Sequence, residues 1–523
     1  MNSLALFLRR NRTLLITAVI LFLLLIVAIR GMETKDWVIT LLRSLSVAAV
    51  TFLVASGFSL IFGLLDVLNL AHGALFMIGA YVAWTVYIRP DTTIALLTPT
   101  CLLAAGFALL PLWSYLASRL GGKKSLARLW PWLGLLLAGV VLLYALRAYP
   151  ITIWDPGVYS NAPGTYSVFA DSGTLVIPEP AAFTGQSPVL VMAGILLGGL
   201  LLAFSLSGLQ NRRSGGATRK LRLPWPYLAG FLAVVLVGVL VYIFNTPLTT
   251  AVVALGSNWL FLIAIVVALL VGILLGSFIE SSLIRPLYSR PIYTLMITLG
   301  LSAVVVELVR AIWGRPEFTM PKPAIFDVTG GNCPATTLAG IFRDHCSTVE
   351  FMGSRIRVYN EIFIPLIGVL VLIGIWLLIQ RTRIGMIIRA GVQDREMVEA
   401  LGINVRQAFT FVFALGVGLA TLGGALAGPS MGISTAMGDS MILNALIALA
   451  IGGLTSYPGA AVGSLLVGLV QQFIIKYGQI GIQLPFMEAP FKPSPPLVPA
   501  STVLLMVIIL LVLPNGLLGR RKE

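Results

Sequence analysis

Charge is what this chain has least of. Asp, Glu, Lys and Arg together make up 11% of it, against about 25% in a soluble domain. With 58% hydrophobic residues and a mean hydropathy of +0.97, the chain could bury a large core but not cover it with polar surface. A water-soluble fold is excluded, and so is intrinsic disorder, which requires low hydrophobicity. Histidine occurs twice, in separate regions, so neither an HExxH helix nor a histidine cluster exists. Three cysteines are too few for a disulfide scaffold. No Walker A sequence is present, so any ATP hydrolysis belongs to another chain. No catalytic residue, metal site or cofactor is expected, and the chain does not read as an enzyme. Acidic residues are also scarce, 20 against 35 basic ones, a net charge of +15. In a soluble protein that excess would suggest nucleic acid. Here no basic stripe with interleaved aromatics lies outside the loops, so nucleic acid is not expected as a partner.

Long apolar runs are what the sequence has in abundance. A membrane helix needs about 20 apolar residues, because the hydrocarbon core is about 30 Å thick and the backbone must be paired within the span. The first run is Thr13 to Ile29, preceded by Arg9, Arg10 and Arg12. It looks like a signal peptide, but no small-x-small site precedes Arg30, so a retained anchor is expected. Further runs lie near 37–65, 67–88, 94–118, 129–149, 188–210, 225–245 and 258–283, and six more near 292–313, 361–380, 408–429, 441–456, 458–475 and 498–514. The expected fold is all-α, a polytopic integral membrane protein with about fourteen transmembrane helices.

Basic residues gather in cytoplasmic loops of membrane proteins. With the N-terminus inside, most Lys and Arg fall in inner segments: 119–128, 212–222, Arg285 and Arg290, 381–406, and Arg520 to Lys522. One helix more or fewer in mid-chain would destroy this asymmetry, so both termini are expected to be cytoplasmic. Two outer loops are long, 150–187 and 314–360. Cys333 and Cys346 share the second, in an oxidising compartment where they can pair as a disulfide; two free thiols are the alternative.

Three segments break the small-and-apolar rule of membrane helices. Asp66, Asn69 and His72, bracketed by Gly63 and Gly73, are costly in lipid. They read either as an unwound stretch of a translocation path or as a tight turn with an Asp66–His72 hydrogen bond. The second segment is Gln393 to Asn404. Asp394 can cap a short helix, Glu396 suits its first turn, Met397, Val398 and Leu401 supply an apolar face, and Gly402 stops it. Such a helix, also carrying Glu399 and Ala400, suits docking into a partner's groove. A helix lying on the membrane would prefer a basic polar face. The third segment is Asn444 to Gly463, whose Gly459xxxGly463 reads as close helix packing, as do Gly424xxxGly428, Gly272xxxGly276 and Gly194xxxGly198. Arg43, Glu280 and Glu307 stand alone in apolar runs, although Glu280 can pair locally with Arg285.

The order of these pieces resembles the permeases of branched-chain amino acid ABC importers, and the H-type subunit in particular. The resemblance is carried by Ser56-Gly57-Phe58-Ser59-Leu60-Ile61-Phe62-Gly63 with Asn69-Leu70-Ala71-His72-Gly73 and Gly79-Ala80-Tyr81. It continues in Glu280 with Arg285-Pro286-Leu287, and in Thr298-Leu299-Gly300-Leu301-Ser302. Arg389-Ala390, Gln393-Asp394, Ala400-Leu401-Gly402-Ile403-Asn404, Ile451-Gly452-Gly453 and Gly459-Ala460 complete it. Ser281 departs from the pattern where a basic residue is expected. The resemblance implies a permease core split into 1–89 and 258–523, with 90–257 an inserted block of four crossings added to about ten core helices. It also implies a second permease subunit, two ATPase subunits, an extracytoplasmic substrate-binding protein and the lipid of a bacterial-type inner membrane as partners.

The segment 381–407 then looks like the ATPase-coupling loop, with Gln393, Asp394, Glu396, Met397, Glu399, Ala400, Leu401 and Gly402 at its contact. Asp66, Asn69, His72, Gly73 and Asn444 are the expected substrate pathway. The function expected is inward transport of a small polar solute, a branched-chain or related amino acid, driven by partner ATPases. Urea or a short amide is an alternative cargo. Two competing functions stay open on the sequence: an ion-coupled secondary transporter, which needs paired ionisable residues, and a membrane enzyme acting on lipid-linked substrates through the outer loops.

Overall fold

Nineteen α-helices account for nearly all the regular structure in the computed structural model, which describes residues 12–120, 126–149, 186–213, 225–288, 290–314, 317–393, 395–403, 405–483 and 489–519. Among the described residues, ten helices are long and apolar enough to cross a membrane and four more apolar helices are shorter. The protein is an all-α polytopic membrane protein. Strand is confined, among the described residues, to the hairpin of β1 (Thr348–Phe351) and β2 (Ser354–Arg357). The chain divides into two units, the described parts of 1–87 with 257–523 and those of 88–155 with 168–256.

The first unit opens with α1 (Arg12–Arg30), α2 (Thr34–Leu65) and α3 (His72–Ile88). After the second unit it resumes with α10 (Ser257–Ile279), a π-helical turn (Glu280–Ile284) and α11 (Pro291–Trp313). Then come α12 (Leu338–Asp344), α13 (Ile364–Arg381), α14 (Arg383–Gln393), α15 (Arg395–Ala400) and α16 (Val405–Met431). α17 (Met437–Gly452), α18 (Tyr457–Ile480) and α19 (Leu497–Val512) close it. Its core is α2 and α16, whose middle turns are buried all round; Leu53, Val54 and Ala55 are wholly enclosed. Small residues allow this. A Cβ on Gly276 would stand 2.8 Å from the Ala414 backbone, and one on Gly428 would meet Met320 at 3.0 Å.

α2 is 32 residues long, about 48 Å at 1.5 Å per residue, and its two ends meet different loops. At its start Ser354 Oγ donates to the Lys35 carbonyl (2.9 Å) and Lys476 pairs with Asp36 (2.7 Å). At its end Leu65 packs with Tyr288, Val398, Ile403, Val405 and Phe409. The loop 314–360 and the segment 381–407 therefore lie at opposite ends of this unit. In the former, Cys333 and Cys346 are disulfide-bonded, with Cα atoms 5.4 Å apart. Two residues isolated along the chain are not isolated in space. Arg43 lies 3.5 Å from Glu361, a buried carboxylate, and Glu307 pairs with Arg310 one turn away (2.6 Å).

The second unit holds α4 (Pro90–Ala108), α5 (Leu110–Leu120), α6 (Leu126–Ala148), α7 (Pro188–Arg213), α8 (Trp225–Ile243) and α9 (Asn245–Val253). The run 94–118 is two helices rather than one, because Leu109 leaves helical geometry at φ −94°, ψ 21°. Arg89 and Asp91 form a buried bidentate pair (2.8 and 2.7 Å) at the start of α4. Of the long loop after Tyr149, residues 150–185 lie outside those described.

Candidate functional site

α2 ends in a left-handed cap. Asp66 sits at φ 53°, ψ 34° and donates its N–H to the Phe62 carbonyl at 2.9 Å; its side chain is exposed. From there the chain does not leave the helix but doubles back beside it. His72, the first residue of α3, places Nε2 3.1 Å from the Val54 carbonyl, and Val54 lies about 16 Å below the end of α2 along its axis. Residues 66–71 make that return and close in a turn in which His72 N–H donates to the Asn69 carbonyl at 3.1 Å. A re-entrant backbone inside a membrane protein must find internal partners, and Thr298 on α11 supplies them. Its hydroxyl accepts from Leu70 N–H (3.2 Å) and lies 3.4 Å from the Leu68 carbonyl.

The side chains in this turn are less well provided for. Asn69 is 1% exposed; Oδ1 accepts from Ala71 N–H (3.2 Å), and Nδ2 has no partner. His72 is fully enclosed, edge-on to Phe58 with ring centroids 5.7 Å apart, and its Nδ1 has no partner either. The Asp66–His72 hydrogen bond that the sequence allowed is thus not formed. Backbone contact closes the surroundings. A Cβ on Gly57 would stand 3.0 Å from His72 Nε2 and inside the Gly416 carbonyl, while one on Gly73 would stand 2.9 Å from Ile442 Cβ and overlap the Gly438 carbonyl. Asn444 accepts from Gln471 Nε2 on α18 at 3.1 Å.

At the far end of α2, α15 is only six residues long. Its continuation is held by Leu401 N–H to Met397 (3.2 Å) and Gly402 N–H to Glu399 (3.0 Å), with Gly402 at φ +80°, a conformation glycine adopts without cost. The expected apolar face is split. Val398 is 5% exposed and packs inward, whereas Met397 and Leu401 are 64% and 71% exposed. Gln393, Glu399 and Ala400 are also exposed. Asp394, and the side chain of Glu396, lie outside the described residues.

Beneath Val398 sits Tyr288, edge-on to Phe409 at 6.3 Å. Its hydroxyl donates to Glu280 Oε1 (2.7 Å). Glu280 is fully buried and accepts from Arg285 Nε (3.1 Å), Arg285 Nη2 (2.7 Å) and the Thr410 hydroxyl (2.8 Å) as well. A buried carboxylate is tolerated only when paired and hydrogen-bonded, and this one is both. Sequence reasoning found the Glu280–Arg285 pair but not Tyr288 or Thr410, which carry no signature of their own. At the opposite end, a cavity of about 490 Å³ is bounded by Glu317, Phe318, Thr319 and Pro429 to Ser434.

Residues 247–513 match the family model described as branched-chain amino acid transport system / permease component. The high-affinity branched-chain amino acid transport system permease protein BraD of Pseudomonas aeruginosa is 32% identical over 170 residues, covering 32% of this chain and 50% of that protein. The corresponding permease protein LivH of Salmonella typhimurium is 24% identical over 267 residues, 50% of this chain and 76% of the relative. The fructose import permease protein FrcC of Rhizobium meliloti is 27% identical over 143 residues, 27% of this chain and 39% of that protein. The chain thus spans half the length of the first relative and about three quarters of the second. No solved structure matches it significantly.

Proposed function

This chain belongs to the branched-chain amino acid transport permease family, and from that membership we propose that it is the membrane-spanning subunit of an ATP-binding-cassette importer for branched-chain or related small amino acids. It works in a bacterial inner membrane beside a second permease, two cytosolic ATPase subunits and an extracytoplasmic binding protein. Segment 381–407 faces the cytosol and loop 314–360 the exterior. The block 90–257 is an insertion into the permease core.

One observation carries the reading: the split face of α15. Met397 and Leu401 are exposed together, as a partner's groove requires of anchoring side chains. Val398, between them, is the inward tooth that engages Tyr288 and Phe409. Movement of the ATPases would press α15 on this cluster and, through Glu280, Arg285 and Thr410, on α10 and α16. Leu65 in the same cluster joins α2, so the turn Asp66 to Gly73 lies next in line. That turn is our candidate for the solute's path. The chain's motor is elsewhere, and its own residues supply grip, transmission and passage.

The test is co-purification followed by reconstitution. A second permease and two nucleotide-binding subunits should come down with the chain, and proteoliposomes containing the complex should take up leucine only with ATP on the α15 side. A Gln393→Cys label reacting from the binding-protein side, or uptake by the isolated chain, would overturn the reading.

A further inference from the structure

Two features of the loop 314–360 serve neither the buried core nor the turn beside His72. The first is the tip of the β1–β2 hairpin. Phe351 pairs with Ser354, so Met352 and Gly353 are the whole connection, at φ 50° and 73°. A two-residue connection with both residues left-handed favours Asn or Asp before Gly. Met352 holds that place instead, in a conformation uncommon for its residue type. Burial does not compensate: Met352 is 61% exposed and Phe351 49%. The tip also stands at the outermost end of its hairpin. Ser354 donates to the Lys35 carbonyl at the first turn of α2. From there β2 leads toward Glu361, which reaches Arg43, eight residues or about 12 Å further along α2. That position suits contact with a protein rather than with lipid.

The second feature is the cavity of about 490 Å³. Its frame is fixed, since Phe318 and Ile433 exchange both backbone hydrogen bonds at 2.8 Å and Trp84 donates to the Thr319 carbonyl at 3.2 Å. Its lining is rich in acceptors. Ile433 N–H, which another turn of α16 would give to the Pro429 carbonyl, goes to Phe318. The cavity thus receives the carbonyl end of a 27-residue helix, the negative end of its dipole. Glu317, Ser430 and Ser434 line it too, with no Lys or Arg beside them among the described residues. Ser430 also donates to Asn360 Oδ1 at 2.9 Å, which ties the cavity's rim to the segment following β2.

We propose that this loop docks the extracytoplasmic binding protein at two points, a lysine or arginine of that protein entering the cavity against Glu317 and an apolar recess of it covering Met352 and Phe351. This rests on the importer reading above and adds the chemistry of the contact. A guanidinium or ammonium only donates, which matches the carboxylate and the helix's carbonyl end. A free amino acid would bring its own carboxylate against both. The charged point sets register and steers the encounter, while the apolar point supplies an anchor that excludes water. Met352 keeps its strained place because the side chain is needed outside the chain, not within it.

The experiment measures, in the full complex, the concentration of leucine-loaded binding protein that half-maximally stimulates ATP hydrolysis, both in vesicles and in detergent. Glu317→Gln should raise it about ten-fold, as expected for loss of a hydrogen-bonded charge, and Glu317→Arg should raise it further. Raising the salt from about 0.05 to 0.5 M should weaken the wild type and have much less effect on Glu317→Gln. Met352→Asn separates docking from folding. Asn-Gly suits the turn, so the melting temperature should hold or rise, while the half-maximal concentration rises about ten-fold at every salt concentration. Wild-type values for both variants would overturn the proposal, as would a lower melting temperature for Met352→Asn. So would an effect of Met352→Asn in vesicles alone, which would make the tip a lipid contact, or an effect of Glu317→Gln on the leucine dependence alone, which would make the cavity a solute site. A wild-type complex whose ATP hydrolysis ignores the binding protein and drives no uptake would overturn the importer reading itself, a distinguishable result.

Discussion

Tyr288 donates its hydroxyl hydrogen to Glu280 at 2.7 Å while its ring forms part of the floor under Val398. One side chain thus touches both the exposed short helix and the buried carboxylate that follows α10. Tyr288→Phe removes the hydrogen bond and keeps the ring, at a cost of about 1.5–3 kcal/mol for a bond to a charged acceptor. ATP consumption should then run ahead of leucine uptake while the complex stays assembled, as measured by the ratio of phosphate released to leucine transported. Glu280→Ala removes the carboxylate that Arg285, Tyr288 and Thr410 all bond and opens a void at a fully buried position, while the Arg285 guanidinium left behind is 32% exposed. Its thermal midpoint in detergent should fall well below that of Tyr288→Phe.

Met397 and Leu401 are both exposed, and their replacement should be felt chiefly by a docked partner. Met397→Asp with Leu401→Asp should leave the thermal midpoint within a degree or two, since surface substitutions cost about 0.5 kcal/mol or less, yet remove the ATPase subunits from the purified complex. Val398→Asp buries a charge in an apolar cluster and should lower the midpoint itself. If the double variant still holds the ATPases, α15 is not their dock.

Gly73 faces the backbone of Gly438 across the start of α3. Gly73→Ala must separate the two, and overpacking of this kind costs about 1–3 kcal/mol. Uptake should fall more than stability does, because the displaced segment carries His72. The check is leucine uptake per inserted molecule alongside the melting temperature.

Cys333 and Cys346 are bridged while Cys101 is free. Alkylation of denatured, unreduced protein should therefore add one label per chain, and alkylation after reduction three. With the paired positions 13 apart in sequence, the bridge should stabilise the outer loop by about 3 kcal/mol on the loop-entropy estimate. Protease cleavage within 314–360 should accelerate correspondingly in a Cys333→Ser, Cys346→Ser double variant.

Span positions were legible because membrane helices are written in long apolar runs. The run near 37–65 is α2, Thr34–Leu65, and that near 498–514 is α19, Leu497–Val512. The Leu109 break was missed, though it has a local cause. Pro111 lacks the N–H that would bond Phe107 across the break, so the helical ladder has a gap there. Partners that are backbone atoms left no trace: nothing in the letters marks the Val54 carbonyl as the acceptor for His72. Long-range pairs were equally hidden, as with Arg43 and Glu361, and a six-residue helix is too short for periodicity to tell Val398's inward side from Met397's outward one. The bond from Gln471 to Asn444, a residue expected on the pathway, was hidden in the same way. Polar residues in apolar runs identify places where a partner exists without naming it.

Leu65 is both the last residue of α2 and a wall of the pocket that holds Val398. Only the stretch 66–71 separates it from the enclosed imidazole. In the coupling proposed above, a push on Val398 would reach the interior along a rod already in place, with the left-handed bend at Asp66 as its fulcrum.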